Sequence, residues 1–221
     1  MTVEEHADET PNFAHEVNSG FTRMKTICFL TRCHPARPNM QKICFDSVKA
    51  QTCDDYQHFL LRGAMRESDN LSPGRDGKFA IEHGLTKPWP IHAHYVMVLD
   101  DDNMLTYRDF VKEFKALVQK ENPDVVIFKA EIKGQGIYPP NNLWGKAPVG
   151  GCIDWFCFAL KLEMWKKYIK EIEFHPHVDP KCNDALLIQM CYQNTRAITW
   201  FDRVVASTQK GPGRMRGETE F

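Results

Sequence analysis

Short apolar runs alternate with amphipathic stretches along the chain. Residues 25–31, 56–61 and 95–99 are continuous apolar runs rich in β-formers, which is typical of strands buried on both faces. Between the first two runs, residues 40–48 carry apolar side chains at helical spacing, and Asn39 is a suitable N-cap. Strand, helix and strand in this order predict a parallel βαβ unit with a right-handed crossover.

The same alternation continues to residue 206. Three further helices are expected over residues 110–122, 162–172 and from an N-cap at Asn183, and three further strands at residues 125–132, 152–160 and 197–206. The Gly- and Pro-rich stretches predict loops at residues 62–90 (with one short helix near 79–83), 134–151 and 175–182. The pattern predicts an α/β fold with three layers and a mostly parallel central sheet.

Composition fits one globular domain. Of 221 residues, 43% are hydrophobic and 26% are charged, and the formal net charge is −1. The one basic cluster is Lys210, Arg214 and Arg216, which argues against nucleic acid as a partner. We expect a main domain at residues 24–209 and a mobile basic tail at residues 210–221 that could fold over a ligand as a lid.

Several absences point to the cytoplasm. No apolar stretch approaches the ~20 residues of a membrane span, so no transmembrane segment is expected. Residues 1–23 are acidic and lack the apolar segment of a signal peptide, so we interpret them as a leader or an added extension. The eight cysteines include no Cys-x-x-Cys pair, which favours reduced thiols in the core.

Three consecutive aspartates, Asp100, Asp101 and Asp102, follow the apolar run at residues 95–99. Ligands of open α/β sheets bind beyond the carboxyl ends of the strands, where these side chains are expected. Strand alternation directs Asp100 and Asp102 to one side and Asp101 to the other. Carboxylates this close repel one another, and a hard cation such as Mn²⁺ or Mg²⁺ would relieve the repulsion. The alternative is an exposed acidic turn before the following helix.

An apolar strand that ends in Asp-x-Asp resembles the nucleotide-sugar motif of the GT-A glycosyltransferases. The order Thr31-Arg32, helix, Ser47-Val-Lys-Ala-Gln-Thr52 and second strand is similar to family 2 of these enzymes. The resemblance covers most of residues 24–206 and implies a three-layer GT-A (Rossmann-like) fold. In particular, the chain looks like a glycosyltransferase domain encoded by a large algal virus, which would place it in the host cytoplasm.

The resemblance implies a metal-dependent glycosyltransferase of the hexosyl or deoxyhexosyl class. The donor would be a nucleoside diphosphate sugar, with uridine as the base, and the acceptor a hydroxyl of a glycan or glycoprotein. The ribose and the metal would be bound by Asp100 and Asp102, of which Asp102 is the more direct metal ligand. Asp101 is a further candidate for binding the donor. Thr31 and Arg32 would line the nucleotide pocket.

The chain departs from the family after the second strand. The family usually has aspartates there, one of which reads the uracil edge, whereas this chain has Arg62-Gly63. Asp76 is the candidate replacement for base recognition. Arg62 and Arg75 are the candidate contacts to the diphosphate, although an arginine in a loop is more often only solvated.

We expect the residues that bind the acceptor and take the proton of its hydroxyl in the second half of the chain. The carboxylate base of the family corresponds to Asp184 at the start of a late helix, with Asp179 as a second choice. Asp154 follows two glycines and is a further catalytic candidate, while Trp155 and Trp144 are candidate platforms for an acceptor sugar. His175 and His177 could be metal ligands at alternate positions, but such a pair is more typical of an exposed loop.

Other functions remain open from the sequence. A nucleotidyltransferase would share the sheet and the metal, but residues 31–39 lack the glycines of its basic loop. An inactive module that binds nucleotide sugars is the alternative outside enzymes. Transfer with inversion fits a carboxylate base, and retention stays possible because retaining enzymes of this fold share the Asp-x-Asp strand.

Overall fold

The structure is a computed structural model that describes residues 14–16, 23–34, 37–61, 89–173 and 183–209. Within these ranges the chain forms one sheet of nine strands and four α-helices. The predicted short helix near residues 79–83 and the predicted loop at residues 175–182 lie outside them.

The long strands and the four helices occur in the predicted order, together with three short strands that the pattern did not predict. The strands are β1 (Ala14–Glu16), β2 (Lys25–Arg32), β3 (Tyr56–Leu61), β4 (Ala93–Val98), β5 (Asn103–Leu105), β6 (Val125–Ile132), β7 (Gly136–Tyr138), β8 (Phe158–Lys161) and β9 (Ile198–Thr208). The helices are α1 (Pro38–Lys49), α2 (Phe110–Glu121), α3 (Leu162–Glu173) and α4 (Asn183–Asn194). Two 3₁₀ turns span Asn141–Leu143 and Trp155–Cys157.

The sheet is mostly parallel, as predicted. Its strand order is β1-β3-β2-β4-β8-β6-β9-β5, with β7 beside β6. The five longer strands β2, β3, β4, β6 and β9 run in one direction, and the short strands β1, β5, β7 and β8 run against them. The carboxyl ends of the long strands therefore lie along the same edge of the sheet.

Helices cover both faces of this sheet. On one face α2 inserts Phe110, whose ring centroid lies 6.4 Å from that of Phe29 on β2 and 5.3 Å from that of Phe128 on β6. Successive side chains of a strand point to opposite faces, so Cys28 and its neighbour Val96 lie on the face opposite to Phe29. Both are equally buried, so that face is covered too. Helix α3 contacts β4 and β8, and α4 packs on α3. The result is the expected three-layer arrangement.

Helix ends follow local chemistry. Helix α2 ends where predicted, because Asn122 adopts a left-handed conformation with φ of 45° and donates its N–H to Val118. The predicted start of α1 is wrong: Arg37 is the N-cap and Asn39 lies inside the helix. The reason is Pro38, whose fixed φ and missing N–H suit the first helical position.

The strand predicted at residues 152–160 is also wrong over most of its length. The Asp154 carboxylate accepts the N–H of Trp155 at 2.6 Å and caps the 3₁₀ turn that follows. This local bond competes with ladder pairing, so the strand begins only at Phe158. The predicted loop at residues 134–151 contains β7 and the first 3₁₀ turn.

The sequence analysis also made predictions about membrane-spanning helices and about the cysteines. Of the helices α1 to α4, none combines the length and the apolar character that a membrane crossing requires. The thiols of Cys28, Cys44, Cys157 and Cys191 are buried, as expected for core cysteines, whereas Cys152 is half-exposed.

We predict that Phe110→Ala lowers the free energy of unfolding by about 3–5 kcal/mol, because it empties a fully buried position between α2 and three strands. Urea unfolding followed by far-UV circular dichroism measures the change. Ile43→Ala, at an exposed position of α1, is the control and should stay within about 0.5 kcal/mol of the wild type. Equal losses in the two variants would contradict the assignment of Phe110 to the core.

Candidate active site

A tight turn places three carboxylates at the carboxyl end of the central strands. Beyond β4, the Asp101 N–H still donates to the Arg32 carbonyl at 3.3 Å, so the pairing of β2 and β4 extends past the strand. The chain then reverses, and the Asn103 N–H donates to the Asp100 carbonyl at 2.9 Å. We call Asp100, Asp101 and Asp102 the aspartate turn.

Arg32, the last residue of β2, binds the first carboxylate of the aspartate turn. Its Nε donates to Oδ1 of Asp100 at 2.6 Å and its Nη2 donates to Oδ2, which makes a two-pronged ion pair. The guanidinium also lies 5.7 Å from the ring centroid of Trp155. Burial alone would lower the pKa of Arg32, but the charges of Asp100, Asp154 and Asp102 outweigh it and raise the pKa.

Asp101 points into the protein. Its side chain is 3% exposed, against 20% for Asp100 and 22% for Asp102. Asp101 and Asp102 lie in a turn and both contact Nη1 of Arg37, so the strand alternation predicted for the three side chains does not describe them. Its Oδ2 accepts the backbone N–H of His34 at 2.6 Å. Burial and the charge of Asp102 raise the pKa of Asp101 to about 7.

Asp102 is the less tightly bound of the two outward carboxylates. Its Oδ2 lies 3.3 Å from Nη1 of Arg37, which also lies 3.4 Å from Oδ1 of Asp101. Burial and the neighbouring charge of Asp100 raise the pKa of Asp102, against the opposing effect of Arg37 and Arg32. Its ionised form therefore lacks a full counter-charge.

Two more carboxylates reach the same site from elsewhere in the chain. Asp154 precedes the second 3₁₀ turn, and Asp184 stands in the first turn of α4, where it accepts the N–H of Ala185 at 2.7 Å. Burial and the charges of Asp184 and Asp100 raise the pKa of Asp154. Burial also raises the pKa of Asp184, against the opposing effects of the Ala185 N–H and Arg32, and the charge of Asp100 adds a smaller rise.

The site is therefore rich in negative charge. It comprises five carboxylates, those of the aspartate turn and of Asp154 and Asp184, and the guanidinium groups of Arg32 and Arg37. Asp154 is affected by the charges of Asp184, Asp100 and Asp102, and Asp184 by those of Arg32 and Asp100. With every group ionised the formal excess is three negative charges. A cation would stabilise the ionised forms, whereas an anionic ligand would meet repulsion unless a cation came with it.

The donor chemistry suits a hard cation. Carboxylate oxygens are the ligands that Mg²⁺ and Mn²⁺ prefer, and such ions are often held by one or two carboxylates together with substrate phosphates and water. Asp102 fits this role better than Asp100, both of whose oxygens accept from Arg32. Among the described residues, no three His, Cys, Asp or Glu side chains form a group that could hold an ion.

The remaining predicted residues are placed differently. Thr31 is fully buried, and its hydroxyl lies 2.8 Å from Nε2 of His58. Trp155 is only 7% exposed and packs under Arg32. Trp144 packs edge-on against Trp200, with ring centroids 4.9 Å apart, and under Lys129.

Other predicted residues lie outside the part of the chain that the structure describes. They are Arg62, Arg75 and Asp76, the loop residues His175, His177 and Asp179, and the tail residues Lys210, Arg214 and Arg216.

Sequence reasoning missed two residues that hold the aspartate turn. Arg37 lies in the loop before α1. The available signal was Pro38, which suits the first position of a helix and so places Arg37 directly before α1. Gln209 follows β9, and its side chain donates to the carbonyl of Asp101 at 3.0 Å. A contact across 108 positions leaves no local pattern in the sequence.

Comparison with known proteins gives structural likenesses only. No protein-family model matches the sequence, and no curated protein is significantly similar to it. Staphylococcus aureus TarS 1–349 is 13% identical, with a TM-score of 0.56 over 83% of this chain and 60% of that chain. The same protein in complex with UDP-GlcNAc is 13% identical, with a TM-score of 0.55 over 89% of this chain and 61% of that chain.

A third structure is similar over nearly its whole length. It is a glycosyltransferase involved in the glycosylation of the major capsid of PBCV-1, 12% identical, with a TM-score of 0.53 over 86% of this chain and 95% of that chain. The chain spans about 60% of the length of the TarS structures. At these identities the likeness shows the fold: the chain has the Rossmann-like α/β fold of these glycosyltransferases, as the sequence predicted.

Proposed function

We propose that the chain is a glycosyltransferase that uses a nucleoside diphosphate sugar as donor and Mn²⁺ or Mg²⁺ as cofactor. The observation that carries the proposal is the convergence of five carboxylates and two arginines at the carboxyl edge of the sheet. In open α/β sheets this edge is where ligands bind. The fold is that of glycosyltransferases, and one similar structure holds UDP-GlcNAc, which supports a uridine donor.

The charge distribution supports binding of the cation and the donor together. Asp102 would hold the cation, which would neutralise charge on the departing diphosphate. Since no described group of three ligands can hold an ion alone, phosphate oxygens of the donor would complete its coordination. Asp100, fixed by Arg32, would accept hydrogen bonds from the ribose hydroxyls.

Asp184 is the proposed base that takes the proton of the acceptor hydroxyl, which corresponds to an inverting reaction. A base must be ionised when the acceptor binds. Arg32 and the N–H of Ala185 both favour the ionised form of Asp184. For Asp154, the charge of Asp184 adds to burial and favours the protonated form, which suits a donor of a hydrogen bond to the sugar.

The acceptor is proposed to be a glycan or glycoprotein hydroxyl. The half-buried ring of Trp144 is the candidate platform, because the sequence places it in a loop that also contacts α4 through Gln189 and the Pro148 carbonyl. Trp155 would act through Arg32, which it supports. The cytoplasmic location stays a prediction.

We predict that UDP and Mn²⁺ stabilise the protein together far more than either does alone. At about 100 times Kd the ligand should add about 2.7 kcal/mol, a rise in Tm of about 5–10 °C. Differential scanning fluorimetry with UDP, GDP, CMP and UDP-sugars, each with and without Mn²⁺, measures the effect. In Asp102→Asn the joint shift should disappear.

Asp46→Asn, which alters an exposed carboxylate paired with Lys42 on α1, is the matched control and should keep the full shift. A nucleotide shift that ignores both Mn²⁺ and Asp102 would refute the metal-dependent mechanism. Joint binding without sugar transfer would favour an inactive nucleotide-sugar module.

We also predict that, in the absence of metal, the stability of the wild type falls as pH rises above about 4, the ordinary carboxyl range. Where the folded-state pKa is raised, as for Asp154, the folded protein keeps a proton that the unfolded chain has released, so a rise in pH favours unfolding. Asp154→Asn should reduce this slope without abolishing it, because Asp101 and Asp102 act in the same direction.

Urea unfolding at a series of pH values in EDTA measures the slope. Asp46→Asn, at an exposed position of α1, provides the comparison and should leave the slope as in the wild type. A slope unchanged by Asp154→Asn would show that this carboxyl is ionised in the folded protein at neutral pH.

A further inference from the structure

One residue at the end of β9, Gln209, binds backbone carbonyls of the aspartate turn and of the residue that follows it. The Gln209 N–H donates to the Asp102 carbonyl at 2.7 Å. Its side-chain Nε2 lies 3.0 Å from the Asp101 carbonyl and 3.1 Å from the Asn103 carbonyl. The Asp102 carbonyl therefore accepts from the Gln209 backbone, and the carbonyls of Asp101 and Asn103 lie within reach of the two hydrogens that Nε2 carries.

The same amide group links the turn to helix α1. Nε2 of Gln209 also lies 3.0 Å from the carbonyl of Met40, in the first turn of that helix. Helix α1 begins directly after Arg37, which contacts Asp101 and Asp102. Gln209 thus joins the two segments whose charged side chains face each other.

Gln209 is itself anchored from the other side. Its carbonyl accepts from Nζ of Lys133 at 2.9 Å, and the Lys133 N–H donates to Oγ1 of Thr208 at 3.0 Å. Strand β9 also pairs with β5, with Asn103 opposite Thr208. These bonds fix the Gln209 backbone relative to β6 and β5, so its side chain has a rigid base.

These hydrogen bonds oppose the mutual repulsion of the carboxylates in the aspartate turn. Carboxylates that repel one another tend to open the turn that carries them, and the Asp102 carbonyl and its neighbours are the groups that would move. A neutral amide can donate to several carbonyls without adding charge to the site. Outer hydrogen bonds of this kind orient metal-binding groups, and their loss typically weakens metal affinity by about 10–100-fold.

We propose that Gln209 is a positioning residue that sets the geometry of the aspartate turn for the cation and the donor. The inference rests on the proposed function, because the cation and the donor belong to it. The hydrogen-bonding role can be measured separately from either. Gln209 acts through the backbone of the turn and need not touch a ligand.

The test compares Gln209→Met with Gln57→Met, which also replaces a glutamine that bonds to backbone groups. Gln57 is buried toward the amino end of β3, where it binds the Pro90 carbonyl and the His92 N–H. Hydrogen exchange of the Asp101 and Asn103 amides reports on the turn. Calorimetry of Mn²⁺ in the presence of UDP, and the kinetics of UDP-sugar turnover, report on the site.

Gln209→Met should speed exchange at both turn amides and raise the Mn²⁺ dissociation constant about 10-fold, with a smaller change in kcat at saturating Mn²⁺. Gln57→Met should lower Tm and leave all three quantities unchanged. Gln209→Asn keeps a shorter amide and should give an intermediate effect. The intermediate variant also covers the case in which Gln209→Met fails to fold.

Unchanged exchange at the turn in Gln209→Met, or an equal rise of the Mn²⁺ dissociation constant in Gln57→Met, would overturn the positioning role. If the wild type binds neither Mn²⁺ nor UDP, the proposed function fails, and the exchange data alone decide whether Gln209 holds the turn.

Discussion

The ion pair between Arg32 and Asp100 is the interaction on which the organisation of this site depends. It joins the ends of the neighbouring parallel strands β2 and β4, where two fixed N–H donors meet two carboxylate oxygens. The pair is partly buried, with 20% of the Asp100 side chain exposed, so breaking one side should cost less than the about 3–5 kcal/mol typical of fully buried pairs. Here the remaining charge would also face Asp102 and Asp154. The pair therefore makes it possible to place further carboxylates nearby.

Backbone N–H groups also stabilise the ionised carboxylates of the site. Asp101, Asp154 and Asp184 each accept a backbone N–H, from His34, Trp155 and Ala185 respectively. These bonds favour the ionised forms, yet burial still raises the pKa of all three carboxyl groups. The site thus destabilises the fold, and the aromatic core around Phe110 offsets the cost. Such a trade of stability for function is common where a ligand completes the charge balance.

The sequence predicted what local patterns determine. The apolar runs located the long parallel strands, and Asn122-Pro123 located the end of α2. Three aspartates after a buried strand indicated the candidate site. The start of α1 was misread because Pro38 governs it, and the strand at residues 152–160 because the Asp154 cap competes with pairing. The contacts of Gln209 could not be foreseen, since they join segments that only the folded sheet brings together. Asp184 was a candidate through the resemblance to a family and Asp154 through the two glycines before it, but no local pattern relates either of them to the aspartate turn.

Protons and a cation are alternative ways of reducing the same negative charge. At low pH the raised pKa values of Asp101 and Asp102 let them keep protons, whereas a bound cation would favour their ionised forms. Proton release and metal binding are therefore linked, and a diphosphate, which adds negative charge, strengthens the need for the cation. A site of this composition responds to three species through one charge balance. Under the proposed function, a cation and a bound diphosphate would therefore change the protonation of these carboxylates together.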